Sequence, residues 1–152
     1  MLREYARLAA PYFVMLAIMT TGRWVQGTVF RVPYQQGTHV FSIVTLTLFA
    51  SLFCAMFLRR WQGFRLGRAA AFAMFMAVVS QLVIGLSTVV SYGLDIPSYF
   101  SNPMALTRQP EPVTFLAAMG FRAGGLVANT ILNAIAGALG WALGGLLPAK
   151  AP

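Results

Sequence analysis

Long uncharged stretches alternate with short charged segments along the chain, and this alternation predicts its elements. Residues 40–58 contain no charged side chain, and residues 69–92 contain none either. Each stretch, coiled as a helix, is long enough to cross the roughly 30 Å of hydrocarbon in a bilayer. The sequence therefore predicts an all-α fold, an integral membrane bundle whose four transmembrane helices cover residues 8–30, 40–58, 69–92 and 122–147.

The first of these helices has an alternative interpretation, because a basic start followed by the uncharged residues 8–21 is also the pattern of a cleavable signal peptide. No small-x-small cleavage site follows, and the apolar character continues as far as Phe30. Both features favour a membrane helix. Arg23 then lies about 6 Å inside the outer end of that helix, where its side chain can reach the headgroups.

The last apolar stretch, residues 113–147, carries one charge, Arg122, and seven glycines. A continuous helix of this length would reach about 52 Å, which exceeds the hydrocarbon thickness. We therefore divide the stretch into an interfacial lead-in, residues 113–121, and a membrane helix, residues 122–147. On a helical wheel one face of this helix is polar and small, and that face comprises Arg122, Asn129, Asn133, Gly140 and Gly144.

Residues 93–112 interrupt the apolar pattern with four prolines and with the acids Asp95 and Glu111. No part of the segment is long and apolar enough to span a bilayer. The sequence predicts a loop outside the membrane, with a short interfacial helix around Met104. A shorter polar linker joins the first two membrane helices, and the whole chain, residues 1–152, is expected to form a single polytopic domain.

The composition agrees with this assignment and indicates the side on which the termini lie. Hydrophobic residues make up 59% of the chain and charged residues 9%, which is not a soluble composition. The net charge of +8 comes from basic residues between apolar spans, so anionic headgroups of the lipid bilayer are the expected partner, and nucleic acid is not. Four arginines, which we call the arginine loop, fall between the second and third helices: Arg59, Arg60, Arg65 and Arg68. Because cytoplasmic loops are enriched in arginine and lysine, we expect these residues to contact anionic lipid. Both termini, with Lys150, are then cytoplasmic and the membrane is the plasma (inner) membrane.

Arg23 and Arg122 are expected at similar depth near the outer ends of the first and fourth helices. Two guanidinium groups at a membrane edge can bind a phosphate or carboxylate with paired hydrogen bonds, so they form a candidate site for an anion or a lipid headgroup. The alternative is that the arginines only reach for the headgroups, or pair with Asp95 and Glu111 to fix the outer loop.

Asn129 and Asn133 lie near the middle of the fourth helix, where an amide without a partner is costly. They either pack against a polar face of the third helix that includes Gln81 and Thr88, or line a pathway for an ion or a small polar solute. The spacing of glycines four residues apart permits close approach of another helix but specifies no partner. Two such pairs occur, Gly120 with Gly124 and Gly140 with Gly144.

Enzyme chemistry is not expected, because no acid lies within a membrane helix and no catalytic or metal-ligating set is within plausible reach. Cys54 is the single cysteine, which excludes an internal disulfide framework. His39 is a candidate for one axial ligand to a haem or pigment, but no cofactor and no metal site is predicted. The sequence favours a non-catalytic structural or accessory subunit that packs into a homo-oligomer or a larger membrane complex. The alternative is a small oligomeric channel or carrier for an anion or small polar solute.

Overall fold

The computed structural model describes residues 2–147, and within that range it contains seven helices and no strand, which confirms the predicted all-α class. Lys150, which we placed with the termini, lies outside the described residues. The helices are α1 (Leu2–Leu8), α2 (Ala10–Thr28), α3 (Tyr34–Gly37), α4 (Ile43–Gln62), α5 (Leu66–Gly93), α6 (Pro103–Leu106) and α7 (Phe115–Gly144).

Three of these helices, α4, α5 and α7, are each long and apolar enough to cross a membrane. A fourth candidate is the pair α1 and α2, which meet at a bend of 65° and qualify together as one broken span. Pro11 lies in the first turn of α2, and its ring cannot continue the preceding helix without a clash and a lost hydrogen bond. The predicted first span, residues 8–30, thus corresponds to α2, with the bend at its start, and α2 qualifies as a membrane span only together with α1.

The core of the bundle is α7 packed along both α4 and α5, whereas α2 makes fewer contacts with them. Gly140 faces Leu52 of α4 and Gly144 faces Met56, so α7 runs parallel to α4. In contrast, Gly137 faces Ala73 of α5, and nearer the start of α7 the chain meets the end of α5, so these two helices are antiparallel.

The predicted division of the last stretch at Arg122 is not a break in the structure. Helix α7 runs without interruption from Phe115, and its N-cap is Thr114, whose hydroxyl accepts a hydrogen bond from the backbone N–H of Ala117 at 3.4 Å. The prolines of the preceding loop all lie before this cap, so the helix can begin directly after it. Arg122 accordingly lies two turns inside a continuous helix, and the helix ends at Gly144, before the predicted Leu147.

The loop between α5 and α7 contains α6, which agrees with the short helix expected around Met104. This loop folds back onto the bundle and buries Tyr99 and Phe100, which are 3% and 1% exposed. The Tyr99 hydroxyl donates a hydrogen bond to the Val32 carbonyl at 2.7 Å. Gly37 makes this possible, because a Cβ there would overlap the Tyr99 hydroxyl. The loop therefore forms a fixed cap over one end of the bundle.

Candidate anion-binding site

Arg23 of α2 and Arg122 of α7 line a single cavity of about 360 Å³ at the end of the bundle where α7 begins. We call it the arginine cavity. The capping loop contributes Phe100 and a third arginine, Arg108, and the linker before α4 contributes His39. Its other polar lining residues are Tyr34, Thr38, Ser42, Thr45 and Tyr99. The structure thus brings together the two arginines that the sequence placed at similar depth, and adds a third.

Two hydrogen bonds hold the guanidinium group of Arg122. Its Nε donates to the hydroxyl of Thr88 at 2.9 Å, and its Nη2 donates to the carbonyl of Phe100 at 2.8 Å. Thr88 is fully buried and its hydroxyl also donates to the Ile84 carbonyl at 2.9 Å, so the acceptor is itself fixed. A guanidinium has more N–H donors than these two. The others have no protein acceptor among the described residues.

Arg23 is held mainly by aromatic rings. Its guanidinium carbon lies 5.5 Å from the ring centroid of Tyr99 and 5.8 Å from that of Tyr34, within the range of a cation–π interaction. Its Nη1 also donates to the carbonyl of Phe41 at 3.3 Å. Burial raises the pKa of the Tyr99 hydroxyl, an effect that the positive charge of Arg23 partly offsets. The arginine is therefore oriented without a neutralising carboxylate.

No carboxylate lines the arginine cavity within residues 2–147. In the same range neither Arg23 nor Arg122 forms an ion pair with Asp95 or Glu111, so the alternative in which these acids pair with the arginines is not what the structure shows. Like charges that share a cavity at the edge of a low-dielectric bundle repel each other. The arrangement is suited to accept a negatively charged group.

His39 lies on the exposed edge of the arginine cavity. The described part of the chain holds no group of three or more His, Cys, Asp or Glu side chains that could bind a metal ion. The role of His39 as a single axial ligand to a haem or pigment stays a prediction.

The polar residues at mid-bundle have separate partners. Asn133 is 1% exposed, its Oδ1 accepts a hydrogen bond from the Ser51 hydroxyl at 2.7 Å, and its Nδ2 donates to the Asn129 carbonyl at 2.8 Å. Asn129 donates to the Gly125 carbonyl of its own helix at 2.8 Å. Gln81 lies beside Gly125. No hydrogen bond joins either amide to Gln81 among the described residues: Asn133 bonds to Ser51 of α4, and Asn129 bonds within its own helix.

The two glycine pairs of α7 lie in different environments. A Cβ on Gly140 would overlap the Leu52 carbonyl, and one on Gly144 would overlap the Met56 carbonyl, so this pair allows backbone contact with α4. A Cβ on Gly120 or Gly124 would meet no atom within 4 Å. Only the pair nearer the end of α7 serves packing within the chain.

The arginine loop is mostly helical, because Arg59 and Arg60 lie in the last turn of α4 and Arg68 lies in the first turn of α5. Arg59 donates to the Trp141 carbonyl at 2.7 Å, and its guanidinium carbon lies 3.9 Å from the centroid of the Trp141 ring. Arg68 forms an ion pair with Glu4. Arg65 is exposed, and Arg60 is half-buried and engaged in further interactions. Arg59 and Arg68, expected to contact lipid, thus also join elements of the chain.

Sequence reasoning overlooked the buried hydroxyls of α4 and their partner on α2. The hydroxyls of Tyr12 and Thr47 are 2.9 Å apart, and Ser51 binds Asn133. A hydroxyl in a helix can bond to its own backbone, so Thr47 and Ser51 in the sequence alone predict no partner on another helix. A usable signal existed: these residues are four apart on one face of α4, whereas Phe49 and Phe53 lie on the exposed face.

Comparison of this chain with protein-family models, with curated proteins and with solved structures finds no match.

Proposed function

We propose that this protein is a non-catalytic integral membrane protein whose arginine cavity binds an anionic group, of the phosphate or carboxylate type. The observation that carries the proposal is a cavity lined by three arginines and one histidine with no carboxylate in its described lining. An anion in this cavity would accept hydrogen bonds from the unused donors of Arg122 and Arg23, and would remove their mutual repulsion.

We also propose how the chain is oriented in the membrane. The bent pair α1 and α2 acts as the first of four spans, so both termini and the arginine loop lie on the same side. Four arginines in a short loop favour the cytoplasmic side of the plasma membrane for that loop. The arginine cavity then opens on the outer face, in contact with the headgroup layer.

A role as a subunit of an oligomer or larger complex is supported by the open glycine pair. Gly120 and Gly124 lie on the exposed face of α7, opposite the face that carries Asn133 and Gly140. A further helix, from another copy or another membrane protein, has room to approach the backbone there. The subunit role and anion binding are compatible, because the open pair and the arginine cavity lie on different faces of α7.

The alternative function, a small channel or carrier for an anion or polar solute, has less support. A pathway along the bundle would need the amides of Asn129 and Asn133 to face water. Instead both amides hydrogen-bond to protein, and Asn133 is almost completely buried.

Thermal unfolding of the purified protein in a mild detergent tests the proposed anion binding. Phosphate added at constant ionic strength should raise the midpoint of unfolding relative to chloride, because a ligand that binds only the folded state stabilises it. The double variant Arg23→Gln/Arg122→Gln should lose this shift, and Arg65→Gln, a matched change at an exposed arginine of the other end, should retain it. A shift of equal size in all three proteins would refute anion binding in the arginine cavity.

A further inference from the structure

An apolar groove on the surface between α5 and α7 adjoins the arginine cavity. It has a volume of about 300 Å³, and we call it the α5–α7 groove. Apart from Gln81 and Arg122 its lining is apolar, and includes Leu82, Gly85, Leu86, Met119 and Leu126. Arg122 lines both this groove and the arginine cavity. The side chain of Arg122 therefore lies at the boundary between the cationic arginine cavity and the apolar α5–α7 groove.

The groove opens on the outer surface of the helix bundle. Leu82 and Leu86 on its α5 side are 55% and 66% exposed. At Gly85 no atom lies within 4 Å of the position that a Cβ would occupy, so glycine leaves space in the middle of the groove. Because α5 and α7 are both apolar enough to cross a membrane, the molecules that meet this surface are lipid chains.

We propose that the arginine cavity and the α5–α7 groove together bind one anionic phospholipid. Its phosphate lies between Arg23 and Arg122, and one acyl chain lies in the groove. This inference rests on the proposed function and names its ligand. A phospholipid carries an anionic group linked covalently to apolar chains. The protein has a cationic cavity beside an apolar groove, and Arg122 lines both. A free anion matches only the cavity, and an uncharged lipid matches only the groove.

The test measures the binding of dioleoylphosphatidylglycerol to the delipidated full-length protein by native mass spectrometry. Dioleoylphosphatidylcholine serves as the lipid of no net charge, and inorganic phosphate is followed separately by thermal unfolding. Gly85→Leu fills the groove from α5, and Ala123→Leu fills it from α7. Gly124→Leu adds the same side chain on a face of α7 that points away from the groove, where no atom lies within 4 Å of the added Cβ, and is the matched control.

We expect both groove-filling variants to bind phosphatidylglycerol about tenfold more weakly, because the added leucine takes the space of the acyl chain and removes its packing contacts with the groove. Their response to inorganic phosphate should be unchanged, and Gly124→Leu should bind the lipid like the wild type. Arg122→Gln should weaken the binding of both phosphatidylglycerol and phosphate. The wild type should bind phosphatidylglycerol more tightly than phosphatidylcholine.

Two results would overturn the inference while leaving anion binding intact. One is phosphate binding that depends on Arg122 together with lipid binding that neither Gly85→Leu nor Ala123→Leu weakens. The other is equal affinity for the two lipids. If neither ligand depends on Arg122, the inference and the proposed function both fail. A unique unfolding transition at an unchanged midpoint in the two groove variants shows that they remain folded, so a loss of lipid binding is then specific.

Discussion

At one end of the bundle Arg59 lies against the last turn of α7, and at the other end Arg122 lies two turns after its first residue. The guanidinium of Arg59 donates to the carbonyls of Trp141 and Ala142, at 2.7 and 3.2 Å, and stacks on the Trp141 ring. The guanidinium of Arg122 is also hydrogen-bonded, to Thr88 and Phe100, but it faces a cavity shared with Arg23.

The difference between these arginines lies in what balances their charge. The last carbonyls of a helix carry partial negative charge, so Arg59 is placed where a cation stabilises the helix end. Arg122 has no helix end and no carboxylate nearby, and a second cation lines the same space. The charge of Arg59 therefore stabilises the fold, whereas within residues 2–147 no carboxylate balances the charge at the Arg122 end, where we propose that an anion binds.

The largest expected effect separates the glycines of these two ends. Gly140→Ala places a methyl group against the Leu52 carbonyl, so α4 and α7 must separate, and we expect a loss of stability of about 1–3 kcal/mol. Gly124→Ala meets open space, so it should stabilise the isolated protein by about 0.5–1 kcal/mol through the helix propensity of alanine. Unfolding by SDS titration measures both. Changes of the same sign would contradict the packing described for α7.

The glycines also show how far the sequence could predict the fold. Apolar length and charge placement located α4 and α5 to within four residues, because those features act on each helix alone, but they placed the start of α7 at residue 122 and not at Phe115. The two glycine pairs look alike in sequence, and nothing in their spacing states that Gly140 meets a backbone while Gly120 does not. That distinction depends on which face of α7 meets α4, a tertiary property.

The second prediction concerns the Arg59 end directly. Arg59→Gln removes the cation from the Trp141 ring and shortens the reach to the carbonyls of α7, so we expect a loss of about 1–2 kcal/mol. Arg65→Gln, in the same loop but exposed, should change stability by less than about 0.5 kcal/mol. The comparison of the two ends fails if these variants unfold alike in the SDS titration.

A buried polar contact between the two ends gives the third prediction. Ser51→Ala and Asn133→Ala each remove one partner of the 2.7 Å hydrogen bond between α4 and α7. In a double-mutant cycle the coupling energy should be about 0.6–1.7 kcal/mol, the range found for hydrogen bonds between membrane helices. The pair Asn129→Ala with Ser51→Ala is the control, because Asn129 bonds within its own helix and should show coupling near zero.

The sequence predicted only part of the candidate site. The physical reason is that sequence fixes depth along a helix but not the rotation of one helix against another, as the buried amides of α7 also show. Depth along a helix follows from residue number, so the sequence could place Arg23 and Arg122 at one level. Rotation of one helix against another does not follow from residue number, and the sequence did not predict the hydrogen bond between Asn133 and Ser51 of α4. The folding of residues 94–114 onto the bundle, which adds Arg108 and Phe100 to the cavity, left no periodic signal.

The smallest expected effect tests whether the capping loop, and with it the Arg122 end, is fixed by Tyr99. Tyr99→Phe removes the hydrogen bond to the Val32 carbonyl and should cost about 0.5–1.5 kcal/mol near neutral pH. Burial raises the pKa of Tyr99 in the folded protein. Its stabilising contribution is therefore complete below the unfolded pKa of about 10 and is lost as pH rises through the higher folded value.

Because the other tyrosines are common to both proteins, the stability difference between wild type and Tyr99→Phe isolates this residue. That difference should shrink as pH rises above about 10, since an ionised phenol cannot donate to the Val32 carbonyl. Unfolding followed at a series of alkaline pH values measures it. A difference that stays constant through this range means that the Tyr99 hydroxyl does not fix the loop, and that the Arg122 end is held by the arginines and the buried Phe100 alone.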